Sequence, residues 1–342
     1  MKSVADIPWV RADSASAVVI NWRSRSSGGT VAEGWLLFRM DGGMERHRSY
    51  NMTMERHELE AAFSQFLEER WNAYRPSRDF PLPYERCDRV HEGGWHAPGA
   101  TIVANDLREL TNLFNAWHNY QMDWAAWLSV CQGYSKDDQW TLLYHLFQTA
   151  VFYCMFQPSA MRDRFGTLGT NAIHQANLAV DRTYKDRLPQ DETSKAVYGR
   201  GFIERQLRGL GARWSRFGVF YAALGELDQR GYREVTRNYR NLASHWIAPH
   251  FEEGITNMVA RSIVPWTELV EREPGRFELQ EHATRRAVSY GFGGTKPLSL
   301  KEMLEANRGQ LERAVAAYRA YESLLDEILA ALAGRTQAPS PA

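Results

Sequence analysis

The sequence has little of three things that often narrow the class of a protein: paired cysteines, long hydrophobic runs and net charge. Its three cysteines, Cys87, Cys131 and Cys154, are scattered without paired spacing, which argues against a disulfide framework. No apolar run approaches the roughly 18 residues that a membrane span needs. The first residues lack the apolar core of a secretion signal. We therefore expect a cytoplasmic protein with free thiols and no membrane contact.

The charges balance: the 342 residues include 41 basic and 41 acidic ones, so the formal net charge is zero. This balance excludes a coat of positive charge, and any nucleic-acid contact has to be a local patch. The chain also lacks the catalytic signatures Gly-x-Ser-x-Gly and His-Glu-x-x-His. Cys87, His91 and His96 lie close together in the sequence, but a structural zinc site needs four ligands with paired short spacings. We expect neither a metal nor a cofactor.

Residues 1–100 are predicted to form a small α+β module and a linker. Two short runs rich in β-branched and aromatic residues, 17–22 and 35–40, are separated by the sequence Ser-Ser-Gly-Gly at 26–29, which is typical of a β-hairpin. Residues 55–72 have the apolar spacing of a helix. The rest of the module, up to residue 100, is rich in proline and glycine and is predicted to be a loop.

Residues 101–334 are predicted to form a helical domain. From residue 105 onward, apolar side chains recur at the three-to-four spacing of amphipathic helices. A very apolar segment, residues 140–156, is predicted to be a central core helix that stops at Pro158, because proline breaks helix hydrogen bonding.

The end of the chain contains an irregular insertion, residues 262–298, with two runs that favour a β-hairpin. A capping box at Ser299 then opens a long helix, residues 300–333, with Gly334 placed to cap it. Residues 335–342 are predicted to be a disordered tail. The expected fold class is mainly α: a helical bundle with a small N-terminal β-hairpin or sheet, and a hairpin-like insertion before a long C-terminal helix.

Residues 232–251 are basic and aromatic and combine residue types with a spacing that suggests chemistry. They are predicted to be the motif helix, which either kinks at Pro249 or ends just before it. Arg240 is followed at once by Asn241, and His245 comes five positions after the arginine. On a helix, Asn241 and His245 share a face one turn apart, with Arg237 one turn before them. An arginine, which is always charged, beside a titratable histidine is the combination that phosphate chemistry uses.

This stretch resembles the signature of the HEPN superfamily (higher eukaryotes and prokaryotes nucleotide-binding domains). That signature is an arginine, a polar residue that is often asparagine, a short gap and a histidine, and Arg240, Asn241 and His245 occupy those places. HEPN domains are compact helical bundles. The resemblance extends over roughly residues 102–333, and only the motif is specific.

The resemblance implies metal-independent cleavage of RNA by a homodimer, in which two motifs face one cleft. His245 acts as general base on the ribose 2′-hydroxyl or orients the scissile phosphate, Arg240 stabilises the phosphorane, and Asn241 holds the imidazole or a phosphate oxygen. The products are a 2′,3′-cyclic phosphate and a 5′-hydroxyl. Family members often serve as toxins or in defence against phage, so an antitoxin or sensor protein is an expected partner.

The local charge favours contact with phosphates around this motif. The segment from Arg200 to Arg240 has nine arginines, four acidic residues and no lysine. Arg233, Arg237 and Tyr239 are the predicted RNA contacts. The alternative is a non-catalytic helical module for binding or dimerisation. Exposure of His245 favours the nuclease, whereas burial of His245 against apolar residues excludes it.

Overall fold

A computed structural model of the chain describes residues 17–25, 31–39, 54–73, 80–192 and 198–336. The contacts divide the chain into two units, Met1–Thr53 and Met54–Ala342. The first unit contains an antiparallel hairpin of β1 (Ala17–Arg25) and β2 (Val31–Arg39), in which Ala17 pairs with Arg39 and Arg25 with Val31. This confirms the predicted N-terminal hairpin. The turn predicted at 26–29 lies outside the described residues.

The second unit is mainly helical, as predicted. Its helices are α1 (Arg56–Ala73), α2 (Glu85–His91), α3 (Gly99–Cys131), α4 (Lys136–Leu142), α5 (Gln148–Val180), α6 (Arg200–Gly211), α7 (Phe217–Gly225), α8 (Arg230–Val235), α9 (Tyr239–His245) and α10 (Leu300–Thr336). A π-helical segment, Leu143–Phe147, joins α4 to α5. Two long strands, β3 (Val259–Glu273) and β4 (Arg276–Phe292), lie between α9 and α10.

The core lies where the three long helices, α3, α5 and α10, pack against one another. Aromatic side chains that are fully buried fill it: Phe114 of α3 meets Tyr318 of α10 edge-on, with ring centroids 5.3 Å apart. Phe165 of α5 meets Tyr321 in the same way at 6.1 Å. Such edge-to-face contacts add to the free energy of burial. Among the described helices, none is both long enough and apolar enough to cross a membrane.

The boundary predicted at residue 100 is replaced by one at residue 53, because α1 and α2 pack on α3. Leu82 and Val90 are buried in the common core. The loop predicted up to residue 100 therefore includes a helix, α2, whose Cys87 is buried. Arg86 of the same helix donates to Glu322 of α10 at 3.0 Å. A Pro- and Gly-rich composition indicated a loop, whereas packing against the long helices sets the actual boundary.

The prediction that the core helix stops at Pro158 is wrong, since α5 continues through it to Val180. Proline lacks the N–H that would bond to the carbonyl of Cys154, four residues earlier. That carbonyl accepts a hydrogen bond from Asn307 Nδ2 of α10 at 2.7 Å instead. The acceptor freed by the proline is thus satisfied by another helix, and α5 has no need to end.

The insertion before α10 is more regular than predicted. Strands β3 and β4 pair along nearly their whole length, from Val259 opposite Phe292 to Glu273 opposite Arg276. After it, α10 begins at Leu300 as predicted, and the hydroxyl of Ser299 accepts the N–H of Glu302 at 3.4 Å.

The predicted cap at Gly334 is wrong, because α10 runs on to Thr336. A glycine inside a helix costs only about 1 kcal/mol, and the buried Leu332 holds the last turns against the core. Residues 337–342 of the predicted tail lie outside the described residues.

Candidate functional site

The motif lies on α9, a helix of seven residues, rather than on a continuous helix over 232–251. Arg237 and Asn238 both have left-handed backbones, with φ of 50° and 55°, and they separate α8 from α9. Asparagine tolerates this conformation, but arginine rarely adopts it. A hydrogen bond from the guanidinium of Arg237 to the carbonyl of Lys296 ties this turn to the strand-to-α10 connection. Arg237 is exposed. Because this turn interrupts the helix, Arg237 does not share a helix face with Asn241, as was predicted.

The short helix has a core side and a solvent side. Tyr239 is buried, and Leu242 and Ala243 are half-buried on the same side. At about 100° per residue, Asn241 and His245 lie on the opposite side, and both are exposed. The prediction that they share a helix face holds for α9. Arg240 is half-buried on the flank, rotated by roughly 140° from His245.

The motif side chains are free to meet a ligand. Within the described ranges, the side chains of Arg240, Asn241 and His245 form no hydrogen bond or ion pair, and neither does that of Arg233. All four residues are polar and at least partly exposed. An unoccupied donor at a surface is available to a phosphate oxygen without first breaking an internal contact.

Nearby acidic side chains are already occupied by other arginines. Glu234 pairs with Arg230 at 2.6 Å, Asp228 with Arg200 at 2.8 Å and Glu204 with Arg162 at 2.8 Å. These pairs remove most of the negative charge in the segment from 200 to 240. Arg233 and Arg240 consequently present positive charge that no described carboxylate neutralises.

Tyr239 was predicted to contact RNA, but the residue is only 6% exposed, so it cannot do so. Its ring packs 5.1 Å from that of Phe251 and 6.4 Å from that of Phe152, centroid to centroid. Burial raises the pKa of Tyr239 to about 12. The side chain anchors α9 to α5 and leaves no face for a base.

Trp246 is the exposed aromatic side chain that the sequence analysis missed. It follows His245 directly and is 79% exposed. In a continuous helix, Trp246 would lie on the same side as Tyr239, seven residues earlier, and would be buried with it. The helix ends at His245, and the extended backbone of Trp246 (φ −144°, ψ −147°) turns its side chain outward. The only signal in the sequence was its position next to the histidine.

A cavity beside the motif is too small for a nucleotide. It has a volume of about 120 Å³ and lies between the π-helical segment, Tyr239 and the residues after Trp246. Typical small-molecule pockets have volumes of roughly 300 Å³ or more. A polynucleotide would therefore bind across the surface of α9 rather than inside the bundle.

A larger cavity of about 470 Å³ lies at the far end of α5, beside Gln175 and Asp181. Gln175 lies roughly 35 Å along α5 from Phe152, the residue that contacts Tyr239, so this cavity is distant from the motif. His174 near it is not available for chemistry, because its ring nitrogens bond Tyr184 and Asp186, both at 2.8 Å. This histidine fixes the segment after α5 to the helix.

Clusters of three or more His, Cys, Asp or Glu side chains that could hold a metal do not occur in the part of the chain that the structure describes. Cys87, Cys131 and Cys154 are all buried free thiols. No known protein family, curated protein or solved structure matches the chain. The site therefore has to be interpreted from its own geometry.

Proposed function

We propose that the protein is a metal-independent endoribonuclease of the HEPN type. The observation that carries this proposal is the exposure of Asn241 and His245 on the solvent side of α9, with Arg240 half-buried on the flank and no internal partner occupying any of the three. Burial of His245 would have excluded the proposal. Arg233 and Arg237 extend the basic surface, and Trp246 offers a face on which a base can stack.

In this mechanism, His245 accepts the proton of a ribose 2′-hydroxyl, and the resulting oxygen attacks the adjacent phosphorus. Arg240 stabilises the negative charge of the phosphorane, and Asn241 orients the imidazole or a phosphate oxygen. The 5′-oxygen leaves and takes up a proton. Cleavage leaves a 2′,3′-cyclic phosphate on one RNA fragment and a 5′-hydroxyl on the other.

The geometry of α9 favours a site that two copies build together. Because Arg240 and His245 start from different sides of one short helix, two copies can bring an Arg240 and a His245 to the same phosphate more directly than one chain can. In a two-fold dimer, Arg240 of one copy can meet His245 of the other. We accordingly propose a homodimer with composite sites. A cytoplasmic role as a toxin or phage-defence effector, with an antitoxin or sensor protein as partner, rests on the resemblance alone.

The second candidate is a non-catalytic helical module for binding or dimerisation. The angular separation of Arg240 from His245 favours it, and so do the exposed apolar side chains Trp246 and Ile247. An exposed apolar pair beside a basic turn suits a protein or RNA partner without any chemistry.

The first experiment is cleavage of labelled RNA by the purified protein in EDTA. We expect wild type to cut, with cyclic-phosphate ends, and both His245→Ala and Arg240→Ala to lose activity by at least about 100-fold. His57→Ala and Arg313→Ala are matched controls on exposed faces of α1 and α10. Equal cleavage by every variant would place the activity elsewhere. RNA binding without cleavage would favour the binding module.

The composite site has its own test. When His245→Ala and Arg240→Ala chains are mixed, half of the dimers are hybrids, and each hybrid has one intact site of two. We therefore expect about a quarter of the wild-type activity to return. No recovery, with dimers present, would mean that each chain carries its own complete site.

A further inference from the structure

Strands β3 and β4 form a long two-stranded ribbon that has no cover of its own. All of its residues, from Val259 to Glu273 and from Arg276 to Phe292, are exposed or only half-buried. Two-stranded ribbons are marginally stable in water, because they need a further layer on at least one face. A ribbon of this length therefore points to a surface that something else covers.

One face of the ribbon is apolar. Odd-numbered residues of β3 share that face, and residues directly opposite them on β4 share it too. An irregular stretch beside Trp266 shifts β4 from even to odd numbers, so the face continues along the whole ribbon. We call this the apolar face; its large apolar side chains are between 49% and 73% exposed. They are Ile263, Leu269, Phe277, Leu279, Val288 and Tyr290.

The opposite face, which we call the polar face, combines polar side chains with Trp266, Val264 and Val270. The two valines are half-buried, and Trp266 is 39% exposed. Arg272 pairs there with Glu278 at 3.6 Å and donates to Gln280 at 3.1 Å. Ser262 lies opposite Ser289 on the same face. The guanidinium of Arg285 lies 4.8 Å from the centroid of the Trp266 ring, so a charged group partly covers the largest apolar side chain of this face. The large apolar side chains that are most exposed therefore lie on the apolar face, and it is this face that a partner would cover.

The charges on the apolar face are divided by sign, apart from Glu273 and Arg276 beside the turn, which pair with each other at 3.7 Å. Arg261 and Arg286 lie in the half near the helices, and Glu271 and Glu281 lie in the half near the turn. Arg261 and Glu271 are each five residues from Trp266, on either side of it. Arg286 pairs with Pro265, and Glu281 pairs with Thr267, one residue on either side. Turning the ribbon end to end about the level of Trp266 therefore places Arg261 where Glu271 was and Arg286 where Glu281 was.

The apolar side chains follow the same symmetry. Ile263 and Leu269 lie three residues on either side of Trp266 along β3. On β4, Val288 lies opposite Ile263, and Leu279 lies opposite Leu269. Tyr290 lies opposite Arg261, and Phe277 lies opposite Glu271. Between Arg261 and Glu271, a reversed copy of the ribbon would consequently set apolar on apolar and acid on base. At the two ends, Val259 and Phe292 would lie over Glu273 and Arg276.

We propose that the apolar face docks on the apolar face of a second copy of this chain. The two ribbons lie antiparallel about a two-fold axis that crosses both strands at the level of Trp266. Arg261 then meets the partner's Glu271, and Arg286 meets the partner's Glu281. A parallel arrangement is disfavoured, because it would set like charges against each other.

The size of the face fits a reversible dimer. At about 3.4 Å per residue, the ribbon is roughly 50 Å long, and with two strands it is about 10 Å wide. Each copy therefore covers on the order of 500 Å², which is near the largest apolar patch that monomers leave exposed. A total of about 1,000 Å² lies at the lower limit for a specific interface. We therefore expect a weak, reversible dimer.

This interface does not depend on the proposed nuclease activity. The ribbon face shares none of its residues with α9, so ribbon pairing can stand when RNA cleavage fails. The cleavage variants on α9 should in turn leave ribbon pairing unchanged. The two proposals are therefore separable by measuring association and cleavage on the same samples.

The test is sedimentation equilibrium of the full chain over roughly 1 to 100 µM, using a charge swap at one contact. Arg286 and Glu281 have no side-chain partner among the described residues, so reversing them breaks no internal pair. We expect Arg286→Glu and Glu281→Arg each to weaken dimerisation by about tenfold or more, and the double variant to restore it. Glu268→Arg, the same charge change on the polar face, should leave dimerisation unchanged.

Cross-linking then checks the register. The native thiols are buried, so a bismaleimide of about 8 Å should join two copies that carry both Ile263→Cys and Leu269→Cys. Either cysteine alone should give no cross-link, because its two copies would lie roughly 20 Å apart. A wild-type chain that remains monomeric at every concentration would overturn the proposal. A dimer that ignores the Arg286 and Glu281 reversals would overturn it as well.

Discussion

At the scale of single residues, Arg200 shows what an arginine near the motif does when acidic partners are at hand. Its guanidinium bonds Asp163 at 2.6 Å, Asp228 at 2.8 Å and the hydroxyl of Ser159 at 2.8 Å. Burial alone lowers the pKa of Arg200, but the hydrogen bonds and charges of Asp163 and Asp228 outweigh it and raise the pKa. Arg240 has no such partners, which distinguishes a structural arginine from one that is open to a ligand.

Removing Arg200 should therefore destabilise the fold strongly. Arg200→Ala leaves Asp228 buried without its counter-charge, and we expect the free energy of unfolding to fall by about 3–5 kcal/mol. The control is Arg230→Ala, which breaks the exposed pair with Glu234 and should cost less than about 0.5 kcal/mol. Urea unfolding followed by circular dichroism measures both. Similar losses in the two variants would contradict the structural role of Arg200.

Glu327 gives a prediction about acid stability. It caps α7 by accepting the N–H groups of Ser215 and Arg216, both at 2.8 Å. Burial alone raises the pKa of Glu327, but these hydrogen bonds lower it more, so its folded pKa lies below the usual 4.5. A lowered folded pKa gives stability above the unfolded pKa, and that stability is lost as the pH falls through the folded value.

We therefore expect Glu327→Gln to be less stable than wild type by roughly 1 kcal/mol above about pH 5. Because wild type loses this contribution in acid, the two proteins should converge as the pH is lowered further. Urea unfolding at a series of pH values measures the difference. A difference in the free energy of unfolding that stays constant down to about pH 3 would show that the charge of the Glu327 carboxylate does not contribute to stability.

The candidate site was predictable from the sequence only in part, and the reason lies at the residue scale. The sequence indicated Arg240, Asn241 and His245, because residue types and spacing are local properties. It chose Tyr239 over Trp246 as the surface aromatic, since that choice depends on where α9 ends. The end of α9 is set by backbone geometry, and the turn before it is tied to Lys296, 59 residues away from Arg237.

At the scale of elements, the same limit explains the error at Pro158. A proline predicts the end of a helix when only the local chain is considered. The compensation comes from Asn307 of α10, which also accepts hydrogen bonds from Trp117 at 2.8 Å and Gln121 at 2.6 Å. This one amide therefore links α3, α5 and α10, and no local pattern could reveal it.

A double-mutant cycle tests this link. Asn307→Leu removes the acceptor for Trp117 and the donor for the Cys154 carbonyl, and we expect a loss of about 2–4 kcal/mol. Pro158→Ala restores a backbone N–H that can reach that carbonyl. The change in the free energy of unfolding that Pro158→Ala causes should therefore be more favourable in the Asn307→Leu background than in wild type, by about 1 kcal/mol.

Denaturant unfolding of the four proteins gives the coupling energy. Asn105→Leu on the exposed side of α3 is the matched control, with an expected change below about 0.5 kcal/mol. Strict additivity of Asn307→Leu and Pro158→Ala would mean that the amide does not replace the missing hydrogen bond of the proline.

At the scale of the whole molecule, fold class was easier to predict than boundaries. Helical periodicity identified the long helices α3 and α10, because their apolar faces are long enough to give a clear pattern. The division at residue 53 was missed, since α2 has only seven residues and the loop before it is rich in proline. Burial of Leu82 and Val90 against α3 decides where those residues belong.

The ribbon should be dispensable for the stability of the helical unit. It contributes no buried residue, and its base is closed separately by the reciprocal backbone hydrogen bonds of Thr256 and Thr295, at 3.2 and 2.8 Å. When residues 259–292 are replaced by a short Asn-Gly turn, we expect the Tm to change by no more than about 2 °C. The same variant should lose the ribbon-dependent part of the self-association and keep only association through α9. Thermal circular dichroism and sedimentation measure the two effects on one sample. A large drop in Tm would mean that the ribbon stabilises the helices directly, and self-association as strong as that of the full chain would mean that the ribbon does not contribute to it.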